Sequence, residues 1–453
     1  MLPLSPERPT LEDRRAAGRA LRRDIPRSSH AEFQRSPDLD PVQLILSQEE
    51  GRLQNLMPVR RKRMAESPFA FYRAGAQLMA ADLSSTTRTD LLVQASGDAH
   101  LSNFGWYGSP ERHVVFDTND FDETLQASWE WDVKRLAASF AIASQDGDFG
   151  THDQRRSVRA AVRSYQDAMR KFASMPVLDV WYAHVSADLV LDELRAKDRS
   201  RKLKKATKAF KKISRKDSRH VLGKLAERVN GRYRIIDDSP FVVPIRSVDL
   251  PVFAGDVLAL VDETVEEYTR TLGQAMGTLM RRFRVVDVAL KVVGVGSVGT
   301  RCFVVLFEGN EADDVLFLQI KEAGRSCLEE EFGRSPIAHA GQRVVEGQRL
   351  MQTTSDILLG WTTSSTGREY YVRQLKDMKG SPDVEAYDPS DMERYAGVCG
   401  TVLAHSHARS GDSVMIATYL GANDTFSEAI ADFSLAYAQQ NRRDFEAFIT
   451  ETM

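Results

Sequence analysis

The sequence predicts an α+β fold whose strands are gathered mainly in one stretch of the chain. Apolar residues recur at helical intervals near both ends of the chain, and β-branched and aromatic residues dominate from Val285 to about residue 380. Two short apolar runs, 90–96 and 112–116, flank a polar loop. A chain of 453 residues can hold two or three ordinary domains or one large bilobal unit.

The composition is that of an ordinary globular protein, with 42% hydrophobic and 28% charged residues. The formal net charge of −3 provides no overall field to attract nucleic acid or a membrane. Cys302, Cys327 and Cys399 are far apart and lack metal-finger spacing, which favours reduced core thiols. With no run of about 18 apolar residues and no apolar leader, we expect a cytoplasmic protein. The oligomeric state stays open.

The first predicted unit, residues 1–85, is an N-terminal arm followed by a helical extension. Residues 1 to about 40 are rich in Arg, Pro and Ser, which is typical of a loosely ordered arm. A helical pattern then runs from Val42 to Leu83. It breaks near Pro68, because a residue that precedes proline avoids the helical region.

The second predicted unit, residues 86–150, contains the loop with the most suggestive chemistry. The strand 90–96 leads into the sequence GDAHLSNFG at 97–105, and the strand 112–116 ends on Asp117. The sequence WEWDVKRLAASFAIAS follows, and its apolar spacing predicts a helix. The polar loop is therefore placed between two predicted strands, and a predicted helix follows them in the sequence.

The third predicted unit, residues 151–284, is mostly helical. Its segment 195–219 contains thirteen Lys and Arg against two Asp, which could form a patch for phosphates or nucleic acid. The apolar residues of the same segment step by three and four positions: Leu203, Ala206, Phe210 and Ile213. We therefore prefer an apolar stripe under a solvated basic face.

The fourth predicted unit, residues 285–380, has the pattern of a small β lobe. The sequence GVGSVG at 294–299 fits G-x-G-x-x-G, a backbone that can close over phosphates because glycine has no Cβ. A Rossmann glycine loop shares this pattern but opens a helix, whereas TRCFVVLF predicts a strand. A helix from Gln342 to Met351 is predicted between later strands, and helices fill the fifth unit, 381–453.

The polar loop combines residues that suit metal binding and proton transfer. Asp98 precedes Asn103 by five residues, so a carboxylate could face a substrate hydroxyl while an amide oxygen meets a metal. A hairpin would bring Asp117 back beside them, and Mg²⁺ prefers a few such oxygen ligands. Asp and Asn are also ordinary turn residues, and His100 is expected to hydrogen-bond within the loop.

The spacing G-D-x-H-x-x-N, followed by a strand that ends in Asp, resembles a known catalytic segment. It is similar to the catalytic and metal-binding segments of the aminoglycoside phosphotransferase and choline kinase branch of the protein-kinase-like fold. The resemblance implies that Asp98 is the catalytic base or orients the acceptor hydroxyl. It also implies that Asn103 binds Mg²⁺ together with Asp117, and Asp120 competes for that second role.

Two further stretches extend the resemblance, and one position departs from it. Asp132 resembles the family aspartate that braces the catalytic loop, whereas Ser96 stands where the family usually has His. The sequence LAHSHA at 403–408 resembles the helix that immediately precedes the catalytic loop in aminoglycoside phosphotransferases. In this chain that helix comes about three hundred residues after the loop.

The nucleotide-binding half of such a site would come from the fourth unit. Lys321 lies in an apolar strand and resembles the kinase lysine that grips the α- and β-phosphates, with Glu346 as its ion-pair partner. The loop residues that would cover the phosphates of ATP are Gly294, Gly296, Ser297 and Gly299.

Kinases place the nucleotide lobe first, whereas this chain begins with the catalytic-loop segment. The resemblance therefore implies a circularly permuted, bilobal, kinase-like fold with extra helices, cut in an exposed connection. The motifs GDAHLSNFG, FDTNDFDET, WEWDVKRLAAS and YYVRQLKDMKG also resemble DUF2252, a bacterial family of uncharacterised proteins, over roughly residues 20 to 450. Ala74 stands where glycine is expected in that family.

These resemblances imply an enzyme, a Mg-ATP-dependent phosphotransferase whose acceptor the sequence does not identify. The same fold could bind nucleotide without turnover, as a scaffold, or could transfer AMP. A metallophosphoesterase is disfavoured because neither G-D-x-x-D nor G-N-H-[DE] follows the D-x-H string. A Rossmann dehydrogenase is disfavoured by the strand after the glycines.

Overall fold

The structure is a computed structural model. It describes residues 9–196, 200–215, 218–247, 257–292, 294–311, 314–375 and 378–453. Its described helices are α1 (Leu11–Asp24), α2 (Pro41–Ser47), α3 (Met57–Met64), α4 (Pro68–Ala74), α5 (Ala76–Leu83), α6 (Trp129–Asp146), α7 (Thr151–Ala173), α8 (Val177–Tyr182), α9 (Ala187–Ala196), α10 (Ser200–Ser214), α11 (Ser218–Leu225), α12 (Val257–Thr271), α13 (Gly273–Met280), α14 (Glu329–Phe332), α15 (Ala340–Met351), α16 (Pro389–Ser410), α17 (Ser413–Leu420) and α18 (Thr425–Thr452).

The described strands are β1 (Leu92–Ala95), β2 (Phe104–Gly108), β3 (Val114–Thr118), β4 (Leu125–Ser128), β5 (Val185–Ser186), β6 (Ala226–Val229), β7 (Arg232–Ile235), β8 (Val242–Pro244), β9 (Arg284–Lys291), β10 (Cys302–Glu308), β11 (Val315–Glu322), β12 (Gly360–Thr363) and β13 (Glu369–Gln374). In the described ranges, one antiparallel sheet has the order β12-β13-β11-β10-β9-β8, and a smaller one has the order β2-β3-β5. The pairs β1-β4 and β6-β7 stand apart. The predicted α+β class is confirmed.

The N-terminal region contains a regular helix where the composition suggested a loosely ordered arm. Thr10 and Asp13 form a capping box that satisfies the first backbone N–H groups of α1. Arg22, near the end of α1, donates from Nε to the carbonyl of Tyr419 at 2.8 Å. Docking on the C-terminal helices therefore orders part of a segment that looks polar in isolation.

The largest hydrophobic core lies among α6, α7, α16 and α18. Nearly every side of α6 is buried, and Trp129 stacks on Tyr165 of α7 with ring centroids 5.6 Å apart. From α16, Tyr395 donates its hydroxyl to the carbonyl of Leu101 at 2.6 Å. The polar loop at 97–103 therefore packs against this helical core.

The six-stranded sheet is covered on both faces, which follows from the alternation of side chains along its strands. In β10, Val304 and Leu306 face a core with α11, while Val305 and Phe307 face a core with α12 and α13. The covering helices come from the segment 151–284, which also contributes β8 to the sheet edge. That segment contains strands that its helical pattern did not predict.

The basic segment 195–219 is described only in part, and the side chains of Leu203 and Ala206 lie outside the described residues. In α10, the Phe210 ring packs on Trp106 at 4.7 Å between centroids, and the lysines Lys204, Lys208, Lys211 and Lys212 are exposed. This arrangement agrees with an apolar stripe under a solvated face. Within the described ranges, no helix has both the length and the apolar character that a membrane crossing requires.

Candidate active site

A polar cleft of about 550 Å³ brings together segments that are far apart in the sequence. Its walls are the loop at 97–103, the acidic turn at 120–123, the glycine loop, the end of β11, and the N-terminal residues 48–52 and 73–77. The volume is in the range of small-molecule sites. Asp98 and Lys321, 223 positions apart, line the same cleft.

The polar loop begins with a glycine that the geometry requires. Gly97 has φ +75°, and a Cβ there would lie 2.5 Å from the carbonyl oxygen of Glu123. The buried carboxylate of Asp132 accepts hydrogen bonds from the backbone N–H groups of Ser96 at 2.6 Å and Gly97 at 2.9 Å. His407 of α16 contacts the same carboxylate at 3.1 Å. Asp132 thus braces the loop from the helix below.

Asp98 is held by a buried arginine. Arg135 of α6 donates from Nε and Nη2 to Oδ1 of Asp98 at 2.9 and 2.6 Å. Burial raises the pKa of the Asp98 carboxyl to about 7, and the charge of Arg135 opposes that rise. The side chain is still 20% exposed towards the cleft. A carboxyl with a pKa near neutrality can accept a proton from a bound hydroxyl.

The neighbours of Asp98 complete the loop. Asn103 donates from Nδ2 to the Asp98 carbonyl at 2.9 Å. His100 accepts from the backbone N–H of Ser102 through Nδ1 at 3.2 Å. Burial lowers the pKa of His100 well below its usual value, so the ring is neutral and acts within the loop. Of these two side chains, the amide of Asn103 is the better candidate for a metal.

Asp117, the expected metal ligand, does not line the cleft. The strand β3 runs through Thr118, two residues beyond the predicted strand end, so Asp117 lies inside the strand opposite Gly105. Its carboxylate is 4% exposed and accepts from the backbone N–H groups of Thr118 at 2.8 Å and Thr353 at 3.2 Å. Asp117 is therefore a buried acceptor of backbone hydrogen bonds, and the structure does not bring it to the cleft with Asp98 and Asn103.

Of the two carboxylates expected to compete for the metal, Asp117 and Asp120, it is Asp120 that lines the cleft. A backbone hydrogen bond from Asn119 N to the Asn103 carbonyl, 2.8 Å, holds the acidic turn beside the polar loop. No Lys, Arg or His among the described residues pairs with Asp120. Its carboxylate oxygens and the amide oxygen of Asn103 form a hard donor set, which fits Mg²⁺ when phosphates and water supply the remaining ligands.

Lys321 lies at the end of β11 with its side chain only 4% exposed. Its ammonium contacts the Asp122 carboxylate, which also accepts from the Tyr371 hydroxyl at 2.7 Å. Burial opposes both charges, but the attraction between them prevails, so it lowers the pKa of Asp122 and raises the pKa of Lys321. The sequence interpretation missed Asp122, although its place two residues after Asp120, across the apolar Phe121, was a usable signal.

Glu346, the expected partner of Lys321, points elsewhere. Glu346 is half-exposed and pairs with Arg349 of its own helix at 3.0 Å. The face of α15 that meets the acidic turn carries Arg343 instead, whose buried guanidinium donates to the carbonyls of Asp122 at 2.7 Å and Gly324 at 3.0 Å. Because Arg349 binds Glu346 and Asp122 binds Lys321, the predicted ion pair between Lys321 and Glu346 does not form.

The glycine loop is fastened to the N-terminal extension. Gly294, Gly296 and Ser297 line the cleft. Gly299 instead packs away from it, with φ +88° and so little space that a Cβ would lie 2.3 Å from Met57 Cε. Arg52 donates from Nη1 to the carbonyls of Gly296 at 2.8 Å and Val298 at 2.7 Å. Residues 48–52 of the N-terminal extension therefore form part of the cleft wall next to the glycine loop.

The comparisons with known proteins identify a family. Residues 52–451 match the family of uncharacterised proteins conserved in bacteria known as DUF2252. The match spans most of the chain, so the chain belongs to this family. No curated protein and no solved structure matches it.

The described residues contain no group of three or more His, Cys, Asp and Glu side chains arranged to hold a metal. The candidate set at the cleft is of another kind, since it combines the amide of Asn103 with the carboxylate of Asp120.

Proposed function

We propose that the protein is a Mg-ATP-dependent phosphotransferase with a circularly permuted, kinase-like fold. One observation carries the proposal. Asp98, Asn103 and Asp120 share a cleft with a glycine loop and Lys321 that follow about two hundred residues later in the chain. A kinase-like site needs these parts together, in the roles of acceptor base, metal ligands, phosphate cover and phosphate cation.

The order of elements in the small lobe supports the proposal. A strand, β9, leads into the glycine loop, and β10 follows it. Then come β11 with Lys321, the helix α15, and the last strands β12 and β13. The helix α16, which ends with LAHSHARS, lies beneath the polar loop and contacts Asp132 through His407. In the kinase-like family the corresponding helix comes immediately before the catalytic loop in the sequence. Here α16 lies next to the loop in space but follows it by about three hundred residues, as expected for a circularly permuted chain.

Each residue has a role that its surroundings permit. Asp98 orients the acceptor hydroxyl and accepts its proton, because its pKa is raised towards neutrality while Arg135 fixes its direction. Asn103 and Asp120 would hold Mg²⁺, which supplies charge neutralisation of the phosphates. Lys321 adds a positive charge from the opposite wall. Catalysis of this kind consists mainly of positioning and electrostatic stabilisation.

A second candidate is nucleotide binding without turnover. The contact between Lys321 and Asp122 favours it, because this lysine is engaged by an acidic residue of the cleft and α15 offers it no carboxylate. AMP transfer would use the same residues, and product analysis separates it from phosphate transfer.

Thermal unfolding with nucleotide tests the proposal. Mg-ATP at millimolar concentration should raise the Tm of the wild type, and Lys321→Ala or Asp120→Asn should remove most of that rise. Glu346→Gln is the matched control, because that carboxylate pairs with Arg349 outside the cleft, and it should retain the rise. A folded wild type without any shift would refute the nucleotide site. Release of ADP or AMP in the presence of candidate acceptors then identifies the group transferred.

A further inference from the structure

Arg73 is a cleft residue whose charge the proposed site does not use. It lies on α4 and lines the cleft beside Asp98 and the glycine loop. Its Nε is enclosed by protein and has no hydrogen-bond partner. Among the described residues, no carboxylate lies within ion-pair distance of its guanidinium.

Four other arginines around the cleft are engaged, and Arg325, which also lines it, is exposed to solvent. Arg135 binds Asp98, Arg52 binds the carbonyls of the glycine loop, Arg343 binds the carbonyls of the acidic turn, and Arg368 pairs with Glu322 at 2.6 Å. The enclosed Nε of Arg73 is unfavourable without a partner, because it loses hydration and gains no hydrogen bond in return. Arg73 is therefore a candidate for binding an anionic ligand.

The position of Arg73 indicates which anion. Its carbonyl oxygen lies 3.5 Å from the point that a Cβ on Gly296 would occupy, so the end of α4 touches the tip of the glycine loop. Burial lowers the pKa of Arg73, and among the carboxylates that oppose this fall Asp98 and Asp120 act most strongly. Arg73 thus lines the same part of the cleft as the glycine loop, Asp98 and Asp120, which have the proposed roles of phosphate cover, acceptor base and metal ligand.

The backbone that carries Arg73 is fixed to the support of Asp98. Arg135 donates from Nη2 to the carbonyl of Tyr72 at 3.0 Å, and the Tyr72 hydroxyl donates to the carbonyl of Arg135 at 2.7 Å. The guanidinium of Arg135 also lies over the Tyr72 ring, 4.1 Å from its centroid. One buried arginine therefore positions both the carboxylate of Asp98 and the residue before Arg73.

We propose that Arg73 binds the terminal phosphate of the bound nucleoside triphosphate. This inference rests on the proposed phosphotransferase function and adds to it a residue from the N-terminal extension. The planar guanidinium can donate two parallel hydrogen bonds to phosphate oxygens, which a lysine cannot do. Arg73 distinguishes a triphosphate from a diphosphate, whereas Lys321 and the glycine loop contact groups that both nucleotides share.

Calorimetric titration with two probes, Mg-AMP-PNP and Mg-ADP, tests the inference. Arg73→Gln should weaken AMP-PNP binding roughly 10- to 100-fold, the range expected for a lost charged hydrogen bond, and ADP binding by less than about threefold. Arg325→Gln is the charge control, because this exposed arginine also lines the cleft, and it should weaken both probes alike. The Tm without ligand should stay within a few degrees of the wild type.

The outcomes separate the two proposals. A wild type that binds ADP and AMP-PNP, with an Arg73→Gln variant that weakens both equally or neither, overturns the inference and leaves the nucleotide site standing. A folded wild type that binds neither probe overturns the proposed function and the inference with it. Should Arg73→Gln fail to fold, Arg73→Lys gives the same comparison. A selective loss of AMP-PNP affinity relative to the wild type supports the inference, and equal changes in affinity for both probes overturn it.

Discussion

The two loops that face each other across the cleft are held in different ways. The polar loop at 97–103 rests on buried charges of the helical core, where Asp132 and Arg135 bind its backbone and its aspartate. The glycine loop at 294–299 is held from outside, by Arg52 and its neighbours in the N-terminal extension. The first loop depends on a helix about 35 residues away, and the second on residues about 240 positions earlier.

This difference has a physical consequence. Charges beneath the polar loop are buried, so removing one leaves its partners without hydrogen bonds in a low-dielectric interior. The groups that hold the glycine loop are partly exposed, so water can replace part of the hydrogen bonding when one of them is removed. The polar loop should therefore be the more stable of the two, and changes beneath it should cost more.

The largest effect is expected for Asp132→Ala. The change leaves the N–H groups of Ser96 and Gly97, and the ring of His407, without their acceptor. We expect the free energy of unfolding to fall by about 3 kcal/mol or more, measured from denaturant midpoints. Asp120→Asn is the control, since that cleft carboxylate has no cationic partner in the described chain, and its stability should stay within about 0.5 kcal/mol. Equal losses for both variants would contradict a special role for Asp132.

The next effect is expected for Arg52→Ala, on the other side of the cleft. Loss of the hydrogen bonds to Gly296 and Val298 should lower the free energy of unfolding by about 2 kcal/mol. Hydrogen exchange should accelerate within residues 294–300 and stay unchanged at 97–103. Faster exchange in both loops would show that they are not held independently.

A pH effect is expected from His405, a buried histidine of α16 that lies in the helical core below the cleft. Burial lowers the pKa of His405 to about 4, while its hydrogen bond to the Val180 carbonyl partly opposes this. The unfolded chain takes up this proton near pH 6.5, so stability from His405 is lost as pH falls from about 6.5 towards 4. The slope for one group is at most about 1.4 kcal/mol per pH unit.

The His405→Gln variant measures this contribution. Urea midpoints of the wild type and the variant between pH 7 and 4.5 should converge as the pH falls, because only the wild type has the histidine to protonate. Parallel curves would show that His405 has the same pKa in the folded and unfolded chains.

The smallest effect is expected for Arg63→Ala. Arg63 donates to the Gly294 carbonyl at 2.9 Å and lies over the Phe241 ring, but it is closer to solvent than Arg52. We expect about 0.5 kcal/mol in denaturant unfolding. A loss as large as that of Arg52→Ala would mean that the first glycine, and not the middle of the loop, carries the attachment.

Features with local signatures could be predicted from the sequence. The α+β class, the strand after the glycines and the helix at 340–351 each follow from periodicity within one stretch. The brace by Asp132 was implied by a motif that places an aspartate on the helix after the loop. The shared cleft of Asp98 and Lys321 was expected because both matched parts of one resemblance.

Two expected site residues do not line the cleft, for reasons that a sequence pattern does not contain. β3 continues through Thr118, so the carboxylate of Asp117 accepts from backbone N–H groups in the interior. Glu346 pairs with Arg349 of its own helix, while Asp122 binds Lys321. The attachment by Arg52 had no signal, since its acceptors are carbonyl groups, which every residue has.

The attachment of the glycine loop to Arg52 also determines when the cleft can form during synthesis. Residues 48–77 leave the ribosome early, but their acceptors at Gly296 and Val298 are made about 244 residues later. At a synthesis rate of about 5–20 residues per second, residues 48–77 are present without the glycine loop for roughly 10 to 50 s. The nascent chain therefore exposes Arg52 and its apolar neighbours during that interval, and the nucleotide side of the cleft closes only after most of the chain has been translated.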